Sequence, residues 1–179
     1  MAKYLFISVL LVTWLGQWEL FVSVDGRFKV LAPGEMRLHV QEMETPIGDI
    51  DYHTYVHQAD AEDTTAADNL VYMVSYCDYP EGAVHSDSTD LLEDFFDTTI
   101  NTAINSVDGE LVYLDEQTKR DYPGRIWRID YKDGEASIKT KAFLIKQRFY
   151  VVQVVTLKDK RLNPLIDRFL DSFAVTDIE

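Results

Sequence analysis

The chain has 179 residues, 46% of them hydrophobic and 12% aromatic, enough to fill the core of one domain, and this excludes an intrinsically disordered chain. A formal net charge of -14 excludes nucleic acid as a general partner, because a polyanion would approach against the protein's own field. One cysteine, Cys77, excludes an internal disulfide and any CxxC metal or redox motif.

Residues Met1 to Leu15 read MAKYLFISVLLVTWL, an apolar run from Tyr4 broken only by Ser8 and Thr13. As a helix this run spans roughly 18 Å, short of the ~30 Å hydrocarbon core, so a stable transmembrane span is disfavoured. It reads as a secretory signal peptide over residues 1–16, followed by a single α+β domain over 17–179. Export to the periplasm, the envelope or the medium follows from that reading. The alternative is a buried N-terminal element in a cytoplasmic protein.

The segment Trp18 to Val30 predicts a first hairpin turned at Asp25-Gly26, a dipeptide tolerant of positive φ. After Pro33-Gly34, Met36, Leu38 and Val40 alternate with Arg37, His39 and Gln41, the pattern of a half-buried strand. Thr45-Pro46-Ile47-Gly48 turns the chain into a strand with Ile50, Tyr52, Thr54 and Val56 on one face. The stretch Asp60 to Asp68 is an acidic loop without the Asp-x-Asp-x-Asp-Gly spacing of a calcium loop. Asn69 to Tyr79 returns to strand and contains Cys77, which reads as a small buried hydrophobe.

A long amphipathic helix is predicted from Thr89 to Val107, because Leu92, Phe95, Phe96, Thr99, Ile100, Ala103, Ile104 and Val107 fall on one 3.6-residue stripe. Ser88 and Asp90 are candidate caps, and Gly109 follows the end. Four strands come next, Glu110 to Lys119, Gly124 to Lys132, Glu135 to Lys146 and Arg148 to Lys158, with turns expected at Tyr122-Pro123-Gly124 and Asp133-Gly134. Short links make this an antiparallel meander. Asn163-Pro164 opens a second helix, with Asn as cap and Pro at the first helical position, and Leu165, Ile166, Phe169, Leu170 and Phe173 form its apolar stripe.

The order of these elements, with the segment Asp25-Gly26-Arg27-Phe28-Lys29-Val30-Leu31-Ala32-Pro33-Gly34 and the closing Phe169-Leu170-Asp171-Ser172-Phe173, resembles the PsbP/Mog1-like families, including exported bacterial members of unknown function. The resemblance covers residues 18 to 175. It implies an α/β/α sandwich, a central antiparallel sheet with helices on its faces, and a binding or accessory role. Some members are extrinsic subunits of the photosynthetic oxygen-evolving complex and others bind a small GTPase. No functional residue is carried over, because neither segment is a site motif.

Chemistry-bearing residues are sparse. His53 and His57 sit four apart in a strand, roughly 13 Å, too far to share a zinc ion. His39 and His53 could approach across the hairpin at Pro46-Ile47, with Asp51, Glu42 or Asp49 supplying an oxygen, and these are the metal-site candidates. No Gly-x-Ser-x-Gly, phosphate loop or His-Glu-x-x-His occurs, so no catalytic residue and no cofactor are assigned. Charge is uneven: residues 1–118 hold 22 Asp and Glu against 4 Lys and Arg, and residues 119–179 hold 9 against 13. The scattered cations read as an ordinary solvated face rather than a basic docking patch. Tyr72, Tyr76, Tyr79, Tyr113, Tyr122, Trp127, Tyr131 and Tyr150 read as core in the main. The functional expectation is an exported, non-catalytic module that meets a protein or envelope component. Alternatives are a small-molecule or metal-binding protein and a hydrolase with an unrecognised site.

Overall fold

The computed structural model describes residues 18–45, 48–60 and 66–176, and the apolar leader and the middle of the acidic loop lie outside the described residues. The strands are β1 (Glu19–Ser23), β2 (Phe28–Ala32), β3 (Arg37–Thr45), β4 (Gly48–Gln58), β5 (Val71–Asp78), β6 (Glu110–Lys119), β7 (Tyr122–Tyr131), β8 (Ala136–Ile145), β9 (Arg148–Leu157) and β10 (Ala174–Val175). The helices are α1 (Thr89–Val107) and α2 (Pro164–Ser172). Seven strands form one antiparallel sheet in the order β3-β4-β5-β9-β8-β7-β6, and β1-β2-β10 form a small second sheet. The protein is therefore α+β with an antiparallel sheet at its centre.

Strand alternation splits the core in two. On β9, Tyr150, Val152 and Val154 point to one side, where β2, α2 and Phe173 bury Phe28, Val30, Phe169 and Leu170 against the sheet. Phe149 and Val151 point to the other, where they meet Phe96 and Ile100 of α1 together with Trp127, Ile129 and Leu144. Residues i and i+2 of a strand share a face, so a central strand buried on both sides reads as the continuous apolar run Phe149 to Val152. No helix among the described residues is long and apolar enough to cross a membrane.

Four local expectations need correction. The first hairpin forms, but its loop is Val24 to Arg27 and the positive φ falls on Arg27 (52°), not on Gly26. Gly26 is required for space instead: a Cβ there would lie 2.7 Å from the Phe28 ring and from the Ser23 hydroxyl. Tyr122-Pro123-Gly124 lies inside β7 rather than at the turn, which is made by Arg120 and Asp121 at φ 49° and 68°. Here the glycine lets β7 approach β8, since a Cβ would come within 2.4 Å of the Ala142 carbonyl oxygen. At the end of α1 the left-handed residue is Asp108 (φ 49°), one position before Gly109, and the Ser88 side chain makes no capping bond at its start. Finally, Leu38 and Val40 on β3 stay about half exposed, because β3 is an edge strand that no helix among the described residues covers.

The second helix matches its expected start. Asn163 accepts a hydrogen bond from the Leu165 backbone N–H at 3.0 Å, and Pro164 occupies the first turn. Several cations of the C-terminal third are paired with acids: Lys139 with Asp167, Lys141 with Asp171, Arg148 with Asp78, Arg125 with Glu93 and Lys158 with Glu135.

Candidate ligand cleft between the long helix and the sheet

Helix α1 lies against β7 and covers only part of its face of the sheet, so the neighbouring strands are left open beside it. The opening is a cleft of about 740 Å³. Its floor comes from Ile50 and Tyr52 of β4, Cys77 of β5, Val151 and Gln153 of β9 and, beneath the helix, Trp127. One wall is the α1 side bearing Leu91, Phe95, Thr99, Thr102 and Ala103; the other is made by Met43 and Thr45 of β3 with Tyr79 and Val84 after β5. The half-exposed state of Phe95, Thr99 and Ala103, which the helical stripe places inward, is the helix side of this cleft.

Small residues create the space. Thr98, Thr99, Thr102, Ala103 and Ser106 stand where leucines would close helix onto sheet. Thr99 and Ser106 turn their hydroxyls back to the helix, donating to the carbonyls of Phe95 and Ala103 at 2.8 Å each, which presents methyl and methylene surface to the cleft.

Apart from Asp94, the polar groups of the described lining are neutral. Burial, with the Asp78 carboxylate nearby, pushes the Cys77 thiol up to about 12, so it stays protonated and is a poor nucleophile and metal ligand. Tyr52 and Tyr79 are raised, first by burial. Gln153 donates its amide to the Thr140 hydroxyl at 3.0 Å. The indole N–H of Trp127, a residue 1% exposed, is buried and has no hydrogen-bond partner among the described residues. Asp94 is the one charged residue among the described lining residues. A mainly apolar recess with a few polar groups can bind and orient a molecule.

The sequence-derived metal candidates are not brought together. His39 pairs in register with Thr54, and His53 pairs with Val40 on one side and Tyr76 on the other, so the two imidazoles lie on opposite faces of the sheet. His53 stacks on the Tyr76 ring at 4.6 Å. Asp51 shares the His53 face, opposite Glu42, and is exposed. Among the described residues no group of three His, Cys, Asp or Glu is placed to hold a metal ion. His57 meets the Glu35 carbonyl oxygen at 3.1 Å and His85 meets Asp87 at 3.5 Å, both far from a shared site. Reading the sequence missed the cleft. Its signal was present in the threonines and Ala103 within an otherwise large-residue helical stripe.

These features define an α+β protein with a half-covered sheet and an apolar cleft on the uncovered side. In layout it is similar to the solution structure of cyanobacterial PsbP from Synechocystis sp. PCC 6803, with 12% identity and a TM-score of 0.49 over 92% of this chain and 95% of that one. It is also similar to a protein of unknown function, PA94 from Pseudomonas aeruginosa, with 8% identity and a TM-score of 0.39 over 81% of this chain and 86% of the other. No family model matches the chain, and no curated protein matches it in sequence.

Proposed function

We propose that this protein is a non-catalytic binding module whose cleft beside α1 holds a small, mainly apolar molecule. The observation that carries the reading is the cleft itself: about 740 Å³ is within the roughly 300 to 1,000 Å³ of small-molecule sites, and its lining is apolar with isolated polar groups. We read the fold as a three-layer α/β/α arrangement, with α1 on one face of the large sheet and α2 with the small sheet on the other. In that arrangement the layer containing α1 is incomplete, and the gap is the binding site.

The test is a titration with the uncharged fluorescent probe N-phenyl-1-naphthylamine. Saturable binding to the unaltered chain, abolished by Ala103→Trp with the fold intact by circular dichroism, is the expected result. Binding that Ala103→Trp leaves untouched would refute the reading. Export remains part of this proposal and rests on residues 1–16: the protein purified from its native host should have an intact mass lacking about the first sixteen residues. A full-length mass would remove export from the proposal.

A further inference from the structure

Strand β3 is the outer strand of the seven-stranded sheet and is bonded to β4 on one side only. Along Arg37–Thr45 the backbone groups that point away from β4 therefore have no strand partner among the described residues. Nine residues is long for an open edge, which folded sheets usually keep short, twisted or covered.

The register fixes what that edge displays. Residues two apart on a strand share a face, as do residues directly opposite across a ladder. Leu38, Val40, Glu42 and Glu44 of β3 thus share one face with Tyr55, His53, Asp51 and Asp49 of β4. It is the face away from the cleft, whose wall takes Met43 and Thr45 from β3. One half of this face is apolar on β3, where Leu38 is 47% and Val40 53% exposed. The other half is acidic: Glu42 stands opposite Asp51 and Glu44 opposite Asp49, all four are exposed, and none has a cation partner among the described residues. Like charges directly opposite one another destabilise a ladder, so the hairpin carries a cost that a cationic neighbour relieves.

A second copy of the chain fits this edge poorly. Opposite residues share a face, so a two-fold pairing of β3 with itself must centre on a residue. Of the two registers that use most of the strand, one centres on Val40 and sets Leu38 against Glu42. The other centres on Gln41 and sets Leu38 against Glu44 and Val40 against Glu42. Both put carboxylates against aliphatic side chains. An antiparallel strand that presents cation, cation, apolar and apolar side chains at alternate positions matches all four.

We propose that β3 is a docking edge for an extended cationic segment of a partner protein. The segment adds to the sheet as its outermost antiparallel strand, with Lys or Arg opposite Glu44 and Glu42 and aliphatic residues opposite Val40 and Leu38. This surface is separate from the cleft, and the inference does not rest on the cleft being a binding site.

The probe is the fluorescein-labelled peptide Lys-Thr-Lys-Thr-Val-Thr-Val, titrated with the full chain and followed by fluorescence anisotropy. It should bind saturably and, in the 15N-labelled protein, shift the backbone amides of β3. Its counterpart Glu-Thr-Glu-Thr-Val-Thr-Val should bind at least about tenfold more weakly. N-methylation at every second residue should abolish binding in the one of its two frames that turns the peptide N–H groups toward β3. Glu42→Lys with Glu44→Lys should weaken the peptide at least about tenfold, yet melt no lower than the unaltered protein, because each lysine then faces Asp51 or Asp49. Asp97→Lys with Asp115→Lys makes the same change in net charge on α1 and on the opposite edge strand β6, and should leave binding within about twofold. Should the lysine pair melt lower, Glu42→Gln with Glu44→Gln gives the same reading through a loss of at least about threefold. No binding, normal binding by the N-methylated peptides in both frames, equal losses in the two double variants, or amide shifts confined to other elements would each overturn the inference. So would a dimer of the unaltered chain in sedimentation equilibrium that the peptide displaces, since the edge would then belong to a second copy.

Discussion

Asn163 shows how one side chain can join local and distant partners. Its oxygen caps α2 through the Leu165 N–H, and its amide donates to the carbonyls of Asp68 and Lys160 and to the Asn69 side chain, which returns a bond of 3.3 Å. Capping by Asn before Pro was legible in the sequence because it depends on two adjacent residues. The bonds to Asp68 and Asn69 were not, because they join positions more than ninety residues apart. Asn163→Ala should cost about 1 to 2 kcal/mol of unfolding free energy in urea titrations, the range for a lost cap. Asn163→Asp keeps the cap acceptor and loses the donors, so it should lie between the two. An Asp variant as unstable as the Ala variant would shift the weight from the cap to the long-range amide bonds. The histidines illustrate the opposite case: whether His39 and His53 meet depends on the parity of one hairpin register, which composition does not specify.

At the scale of elements, α1 was readable almost to the residue, yet its partner surface was not. A hydrophobic stripe says which side of a helix turns inward but not how far the sheet extends beneath it. Here the sheet is wider than the helix covers, so Phe96 and Ile100 are buried while Leu91 remains half exposed on the cleft side. Strand β3 was misjudged for a related reason, since its alternation is real but the described residues leave Leu38 and Val40 about half exposed. The meander was recovered in order. One turn moved because Pro123 is accommodated as the second residue of β7, opposite Thr118, near the strand start where proline is tolerated. If the small residues of α1 are there to keep the cleft open, enlarging one should trade binding for stability. Thr102→Leu replaces a β-branched residue with a better helix former and adds apolar contact. It should raise unfolding free energy by about 0.5 to 1.5 kcal/mol and weaken N-phenyl-1-naphthylamine binding several-fold. A variant that loses stability and keeps full binding would mean that the cleft wall is placed otherwise.

The seven-stranded sheet has a core on each face, and several titratable groups are buried in those cores as neutral acids. Burial raises Cys77 from 9.0 to about 12 and Tyr76 from 10.0 to about 12, and it also raises Tyr52, Tyr72, Tyr79 and Tyr150. In the unfolded chain these groups release their protons at ordinary values, so above pH 9 the unfolded state binds fewer protons than the native state. Stability must then fall as pH rises. The contribution is complete below pH 9 and begins to erode as unfolded Cys77 ionises, and the share of Cys77 and Tyr76 is gone once the pH passes about 12. Lys119 acts the other way: burial, with Lys141 beside it, lowers its affinity for a proton, so it regains stability as the pH approaches 10.5. One lysine does not offset a thiol and five phenols shifted in the opposite sense. Because β5 and β9 carry buried residues of both cores, the loss should appear as a single cooperative transition rather than the melting of one layer. Thermal melts from pH 8 to 11.5 should therefore show a flat Tm up to about pH 9 and then a decline that steepens through pH 11. Cys77→Ala should remove the earliest part of the decline and leave the tyrosine part, followed by phenolate absorbance at 295 nm. A Tm that holds constant to pH 11 would mean that these side chains are far better solvated than their packing between helix, hairpin and sheet allows.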